Sequence, residues 1–395
     1  MAGPEDPDPP PTSSVAHYTT RDLLLYAVGI GCCSDGSGGG GGEDGELRYV
    51  HEGHAIFAPF PTFPLALGFT SLPAGGGGCA PSDPPRPSFG IRPFPPPTMV
   101  HDSLLPRRLL TDPDLDVGSF PSVHISQSLR LHRPVPLPAL GRARRRYDPL
   151  DAPGYDPPVA LDLSTRTVSV RPTSIGAFVE TETEYRGVAE GGGVAGRALL
   201  LFTARSTVLV AGVPKDAALP FRSGDRQPGP RPPRRGRDGN TPPDHVGSYR
   251  IAPNQALLYR LSGDYNAIHV DAALAERALG RPASGTGRRP VLHGLCTLGI
   301  AVRAVLAHQR GGGGGLEGLQ VTYVSADFVR PVFVGDDIEV AVWEGGGSGG
   351  RRQLRFQASE KSSGKTVVER GSVELSPAGG GLDVEGDPVG ARSRL

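Results

Sequence analysis

The chain lacks the features that mark nucleic-acid-binding, secreted or membrane proteins. Its 41 Lys and Arg residues balance 41 Asp and Glu residues, so no net charge favours nucleic acid or an anionic membrane. The 4 cysteines match no metal-ligand spacing and form no evident disulfide framework, which favours an intracellular compartment over secretion. No apolar run approaches the ~20 residues of a membrane span. The acidic, proline-rich N-terminus also lacks the apolar core of a signal peptide.

Glycine and proline, in contrast, are abundant and clustered. The chain holds 57 glycines and 42 prolines, close to the level typical of low-complexity chains. Because they are clustered, they indicate insertions in a folded protein rather than a disordered chain. The segments expected to lack a packed core are a disordered lead at 1–16, insertions at 36–45 and 73–98, a linker at 222–247 and a tail at 379–395.

Hydrophobic periodicity divides the remainder into two halves, residues 17–215 and 248–378. In each half a helix precedes candidate strands with alternating polar and apolar residues, which predicts an α+β structure with antiparallel sheets. The predicted helices are 18–31, 272–279 and 291–308. The predicted strands are 123–131, 167–171, 176–186, 198–210, 319–329, 337–342, 352–358 and 366–375.

The most informative stretch runs from residue 259 to residue 306. Asp264, Asn266 and His269 follow a Ser-Gly turn and precede good helix formers, so a carboxylate, an amide and an imidazole meet at a helix start. Taken singly, the aspartate is more typical of a helix N-cap and the histidine of a half-buried core imidazole. Their combination with the His-Gly-Leu sequence at 293–295 points instead to catalysis.

The motif Gly-Asp-x-Asn-x-x-His, followed by Val-Leu-His-Gly-Leu-Cys, resembles the 2-enoyl-CoA hydratase 2 family of MaoC-like dehydratases. The similarity extends over segments 18–31, 49–67, 123–136 and 323–339. It implies a double hot-dog fold of two long-helix-plus-antiparallel-sheet halves, with an N-terminal half that makes room for the acyl chain and no longer catalyses. Ala267 stands where the family usually has proline, which loosens the loop but removes no chemical group.

Hydration of an enoyl thioester needs a deprotonated water, a proton for the α-carbon and a donor to the thioester oxygen. Asp264 and His269 can hold the water and exchange protons near neutral pH, and Asn266 can fix the water or a neighbour by hydrogen bonding. Gly294 begins a predicted helix whose unpaired N–H groups can stabilise an enolate oxygen, or it permits close helix packing. The resemblance implies the catalytic roles for these four residues.

Four further residues are candidates for substrate binding. Arg260 and Arg303 carry guanidinium groups that suit CoA phosphates, although either can equally be a surface charge. Glu52 lies in a segment that resembles a pocket-lining piece of the family, or it is an ordinary exposed carboxylate. His293 resembles a metal ligand paired with His269, but no carboxylate or cysteine completes a set of metal ligands. We therefore predict no metal and no other cofactor.

The chain ends in Ser393, Arg394 and Leu395, a conservative variant of the Ser-Lys-Leu peroxisomal address. These features predict reversible hydration of trans-2-enoyl-CoA in peroxisomal β-oxidation, with the (3R)-3-hydroxyacyl-CoA product implied by the resemblance alone. The expected partners are an acyl-CoA and a peroxisomal import receptor, with no nucleic acid and no membrane span; a homodimer is left open. A hot-dog acyl-CoA thioesterase and a non-catalytic acyl-CoA-binding protein are the alternatives.

Overall fold

The structure, a computed structural model, describes residues 11–33, 45–73, 111, 121–138, 158–187, 198–218, 220–222, 241–279, 289–311, 318–346 and 350–378. The helices in these ranges are α1 (Thr20–Gly29), α2 (Leu47–Val50), α3 (Leu67–Thr70), α4 (Gln255–Tyr259), α5 (Ala272–Leu279) and α6 (Gly294–Gly311), with 3₁₀ turns at Phe63–Ala66, Arg260–Ser262 and Ala267–His269. The strands are β1 (Thr12–Tyr18), β2 (Leu72–Pro73), β3 (Ser122–Leu131), β4 (Val159–Thr173), β5 (Gly176–Gly187), β6 (Leu199–Ala211), β7 (Phe221–Arg222), β8 (His245–Arg250), β9 (Leu319–Phe328), β10 (Asp337–Glu344), β11 (Arg352–Glu360) and β12 (Thr366–Pro377).

One antiparallel sheet runs through both halves of the chain. Its strands lie in the order β2-β1-β4-β5-β6-β3-β9-β12-β11-β10-β8, and β7 pairs with β4. The two-residue strands β2 and β7 are left out of the following comparison. Counted from the outer edge of the sheet towards its centre, each half contributes its first, third, fourth, fifth and second strand. The two second strands, β3 and β9, pair at the centre. This repeated order confirms the predicted double hot-dog fold at the level of topology.

Helix α6 is the central element of the core. Every residue from 295 to 306 is buried, so the helix is covered around its whole circumference. It packs against β8, β10, β11 and β12, and it approaches α1 at Gly299, where an added Cβ would lie 2.5 Å from Ile30. Glycine is therefore required at this crossing. Neither α6 nor any other helix in the described ranges is both long and apolar enough to cross a membrane.

The described helices of the N-terminal half are shorter than α6. Bulky aromatic rings fill much of the space beside them. Tyr18 and Tyr26 each contact Phe63, with ring centroids 5.1 and 5.6 Å apart, and Tyr26 also contacts Phe60. These rings belong to the same continuous hydrophobic core as α6. The two halves therefore share one core although only the C-terminal half shows a long helix in the described residues.

Strands β1 and β8 lie partly in segments that the sequence predicts to be unstructured. β1 overlaps the expected lead at residues 12–16 and pairs with β4, whereas β8 begins inside the expected linker and pairs with β10. Both are short outer strands whose stability comes from distant partners rather than from local propensity. The other predicted strands and helices are present with shifted ends. Residues 1–10, 223–240 and 379–395, and most of the insertions at 36–45 and 73–98, lie outside the described residues.

Candidate active site

A sharp turn at Gly263 presents the loop that carries Asp264. Gly263 has a φ of 121°, and an added Cβ would lie 2.7 Å from Thr70, so glycine is needed for both the backbone conformation and the contact. Asp264 Oδ1 accepts the N–H of Asn266 at 3.2 Å. Asn266 Oδ1 in turn accepts the N–H of Ile268 at 3.3 Å and caps the following 3₁₀ turn. These local bonds hold the loop in shape and leave Asp264 Oδ2 facing His269.

His269 lies opposite Asp264 in a defined tautomer. Its Nδ1 lies 2.7 Å from the carbonyl oxygen of Val291, so Nδ1–H donates there and Nε2 presents its lone pair. Nε2 lies 3.9 Å from Asp264 Oδ2, and the two side chains are 9% and 13% exposed respectively. This separation is too wide for a direct hydrogen bond, but a water oxygen ~2.8 Å from each atom would bridge it. The pair is therefore arranged around a water-sized gap.

His293 and Tyr259 support this pair. The His293 ring stacks on His269 with centroids 3.6 Å apart, and its Nε2 donates to the Asp264 carbonyl oxygen at 3.0 Å. Tyr259 packs against His293 at 4.8 Å. The sequence places His293 among the substrate-binding candidates, whereas its position here also orients the catalytic pair. Sequence reasoning misses Tyr259, whose signal is a Leu-Leu-Tyr tripeptide that also occurs at 24–26.

Burial sets the protonation states of the site. Desolvation raises the pKa of Asp264, and the neighbouring His269 opposes that shift only in part. Desolvation also lowers the pKa of His269, with Asp264 acting in the opposite direction. The pKa of His293 is well below its ordinary value because of burial and of the adjacent His269. Both shifts favour the neutral imidazoles, so the rings of His269 and His293 can stack without charge repulsion.

Gly294 begins α6 directly after His293. The N–H at the first position of a helix has no acceptor within the helix, and the helix dipole favours negative charge there. An added Cβ at Gly294 would lie 3.5 Å from the Phe328 ring, which is an ordinary van der Waals contact. Packing therefore does not require glycine at this position. A small residue instead leaves the face of the helix start open to a ligand oxygen.

Arg260 lies beside the site, and Glu52 lies in the turn after α2. The positive charge of Arg260 lowers the pKa of Asp264, His269 and His293. Its guanidinium carbon lies 4.8 Å from the centroid of the Tyr265 ring. Its Nε is buried without a hydrogen-bond partner, so the group remains a candidate for a ligand anion. Glu52 is partly exposed in the turn after α2 and forms no hydrogen bond or ion pair with the described residues.

The position of Arg303 corrects the sequence-based expectation that this residue binds a CoA phosphate. Its side chain is 4% exposed, and its Nε and Nη2 donate to the two carboxylate oxygens of Glu46 at 2.9 and 3.0 Å. Nη1 donates to the carbonyl oxygen of Ile30 at 3.0 Å. The guanidinium is therefore occupied within the core, where it joins α6 to the N-terminal half.

The structure brings three potential metal ligands together. Ligand atoms of Asp264, His269 and His293 lie within 4.8 Å of one another, so a carboxylate does complete the set that the sequence leaves at two histidines. The two rings, however, are stacked with centroids 3.6 Å apart at an interplanar angle of 24°, so their nitrogen atoms lie in two nearly parallel planes. His293 Nε2 is also engaged by the Asp264 carbonyl. This geometry favours proton exchange over metal coordination.

Comparisons with known proteins agree with the fold. Residues 237–366, which contain the whole constellation, match the model of the MaoC like domain family. The chain is 28% identical to enoyl-CoA hydratase 2, peroxisomal, of Arabidopsis thaliana, over 89% of this chain and 88% of that protein. It is 24% identical to peroxisomal multifunctional enzyme type 2 of Mus musculus over 92% of this chain, but spans only 37% of that longer protein. A MaoC-like dehydratase structure from Phytophthora capsici aligns with a TM-score of 0.61 at 25% identity, covering 93% of this chain and 96% of that one.

These similarities point to one class of protein. The double hot-dog fold resembles that of the MaoC-like dehydratase structure, and the segment that matches the MaoC like domain model contains the Asp-Asn-His loop and the helix start at Gly294. Within that class, the chain is similar over most of its length to proteins named enoyl-CoA hydratase 2 and peroxisomal multifunctional enzyme type 2.

Proposed function

We propose that the chain reversibly hydrates trans-2-enoyl-CoA to (3R)-3-hydroxyacyl-CoA. The observation that carries the proposal is the 3.9 Å separation between Asp264 Oδ2 and His269 Nε2, beside the open start of α6. The relative from Arabidopsis, which is named an enoyl-CoA hydratase 2, supports the same activity. The (3R) configuration rests on the family resemblance.

The geometry accounts for each proton in the reaction. A water held between Asp264 and His269 loses a proton to one of the pair while its oxygen bonds to C3 of the enoyl thioester. Negative charge moves to the thioester oxygen, which accepts the N–H of Gly294. The same proton then returns to C2, so one water supplies both added groups. Asp264 and His269 end in the protonation states in which they began.

The direct test is to follow purified protein acting on crotonyl-CoA and trans-2-decenoyl-CoA. We expect loss of the enoyl absorbance without release of free thiol, and chiral analysis of the product should give the (3R) isomer. Thiol release would instead identify a thioesterase. Saturable CoA-ester binding without either reaction would identify an acyl-CoA-binding protein.

The pH profile should show one acidic limb. The site works with Asp264 ionised and His269 neutral, and burial raises the pKa of the first above 3.8 and lowers that of the second below 6.5. We therefore expect kcat/KM to be flat from neutral pH upward to pH 8 and to fall as pH drops through the window between those two values. Initial-rate measurements of kcat/KM in buffers of overlapping pH range check this profile. A maximum near pH 6 with loss towards pH 8 would mean that an imidazolium is required.

We further propose that the protein acts in peroxisomes through Ser393, Arg394 and Leu395, which an import receptor would bind. The names of the Arabidopsis and mouse relatives support this location. Deleting the three residues should move a tagged protein from peroxisomes to cytosol without changing turnover in extracts. Unchanged punctate fluorescence of the truncated protein would contradict the assignment.

The N-terminal half would hold the acyl chain. Phe69 and Thr70 of that half already touch the Gly263 turn of the catalytic loop, which brings its apolar segment close to the reacting atoms. Glu52 would lie along the substrate path only if the turn after α2 contributes to the acyl pocket, so a chain-length-dependent loss in Glu52→Gln would support that role.

A further inference from the structure

The internal duplication gives the catalytic cleft a counterpart in the N-terminal half. Strands β3 and β9 pair side by side, and each is followed by an Arg-Pro-Val sequence, at 133–135 and at 330–332. When β3 is placed on β9 by this match, Leu131 takes the position of Phe328, the residue that faces Gly294. The end of β3 beside the start of β9 is therefore the counterpart of the catalytic region.

A cavity occupies this counterpart position. Leu131, Val135, Leu319 and Val321 form its walls, and Leu306 of α6 closes one side. Leu306 lies towards the opposite end of α6 from the catalytic Gly294. Among the described residues no Asp, Glu or His lines the cavity, whose charged lining residues are Arg48 and Arg133. It is thus an apolar, cationic counterpart of a cleft that carries an Asp-His pair.

Arg48 lines the cavity, and Arg310, which follows the lining residue Leu306 by one helical turn of α6 and acts on the lining Tyr49, also has buried, unpaired N–H groups. Nε of Arg48 and both Nε and Nη1 of Arg310 are buried without a hydrogen-bond acceptor. The positive charges of both guanidinium groups lower the pKa of the Tyr49 hydroxyl, which burial raises. The Arg48 guanidinium carbon lies 5.3 Å from the centroid of the Tyr49 ring. The carboxylate in this region, Glu46, is engaged at both oxygens by Arg303. Buried donors without acceptors are costly, so these arginines call for an anion from outside the described chain.

We infer that this cavity is a second, non-catalytic binding site for an anion attached to an apolar chain. A fatty carboxylate and a CoA thioester share that chemistry. The apolar walls receive the chain, and Arg48 and Arg310 pair with the anion, with Arg133 at the exposed rim. Because no Asp, Glu or His lines the cavity in the described part of the chain, a molecule bound here is not hydrated by the mechanism proposed for Asp264 and His269. The site therefore adds a ligand-responsive element to the N-terminal half that is independent of the proposed reaction.

Calorimetric titration of the full chain tests this site. The probes are decanoate, its uncharged analogue decanol, CoA and inorganic phosphate. Arg48→Gln and Arg310→Gln remove the charges, and Ala58→Trp fills the cavity from its partly exposed wall. Arg351→Gln, at an exposed position, is the matched control. We expect saturable decanoate binding that becomes at least ten-fold weaker in the first three variants and is unchanged in the control.

Turnover of crotonyl-CoA separates the two sites, because Arg48→Gln, Arg310→Gln and Ala58→Trp should leave it near the wild-type value. Decanoate binding should persist in Asp264→Asn, and it should persist even if the wild-type chain hydrates no enoyl-CoA. CoA binding with the same dependence on Arg48 and Arg310 would support the site with a phosphate as the anion. Equal binding of decanol and decanoate, unchanged affinity in all three site variants, or loss of binding in Asp264→Asn would each overturn the inference. Thermal melting of every variant shows whether it is folded, and Ala58→Trp tests the cavity without removing a charge.

Discussion

Replacing Asp264 with asparagine, or His269 with alanine, is expected to lower kcat for enoyl-CoA hydration by ~10²–10⁴-fold, the usual contribution of a positioned acid or base. Asp264→Asn removes the carboxylate charge and His269→Ala removes the imidazole, whereas the start of α6 and the loop backbone remain. KM should therefore change much less than kcat. Because both groups act on one water, the double variant should be little worse than the worse single variant.

Asp271→Asn is the matched control for this prediction. Asp271 lies on the same stretch of chain, but its carboxylate is exposed and accepts the backbone N–H groups of Ala273 and Leu274 at the start of α5. Its substitution should leave kcat near the wild-type value. Circular dichroism and CoA-ester binding of each variant establish that the fold and the substrate site are retained. Near-normal hydration by Asp264→Asn and His269→Ala would show that this pair does not perform the chemistry.

The candidate catalytic loop is predictable from sequence because the contacts that shape it are local. Asp264, Asn266 and His269 lie on one short loop, and hydrogen bonds between neighbouring residues set its shape. The strands β3, β5 and β6 are predictable for a related reason, since alternation along each strand reports which side chains face the core. The supporting stack of His293 on His269 joins residues from two segments, so spacing alone does not show it.

Features that depend on distant partners are missed. β1 and β8 carry weak local signals and become strands by pairing with β4 and β10. The residue-level repeat after β3 and β9 is only an Arg-Pro-Val tripeptide, and it gains meaning once the two strands are seen paired at the centre of the sheet. Arg303 illustrates the same limit, since its sequence context resembles a free surface cation until the fold brings Glu46 to it from 257 positions away.

Removal of the Glu46 carboxylate is expected to destabilise the protein strongly. Both carboxylate oxygens of Glu46 accept hydrogen bonds from Arg303, and Oε2 also accepts the N–H of Cys33 at 2.7 Å. The side chains of Glu46 and Arg303 are 2% and 4% exposed. Glu46→Ala would leave a buried guanidinium without its anion, at a cost of ~3–5 kcal/mol in the free energy of unfolding. Urea denaturation followed by circular dichroism measures this loss, which should appear as a lower midpoint.

The companion variants decide whether Arg303 has this structural role. Replacing both partners, as Glu46→Leu with Arg303→Met, removes the charges together and should recover much of the stability lost in Glu46→Ala. The control is Glu344→Ala at the exposed pair with His308, where Glu344 is 59% exposed and a loss below ~1 kcal/mol is expected. If Glu46→Ala instead left the urea midpoint unchanged while weakening CoA-ester binding, Arg303 would be serving a ligand phosphate. The structural role assigned to the buried pair, which is to link α6 to the N-terminal half, would then be wrong.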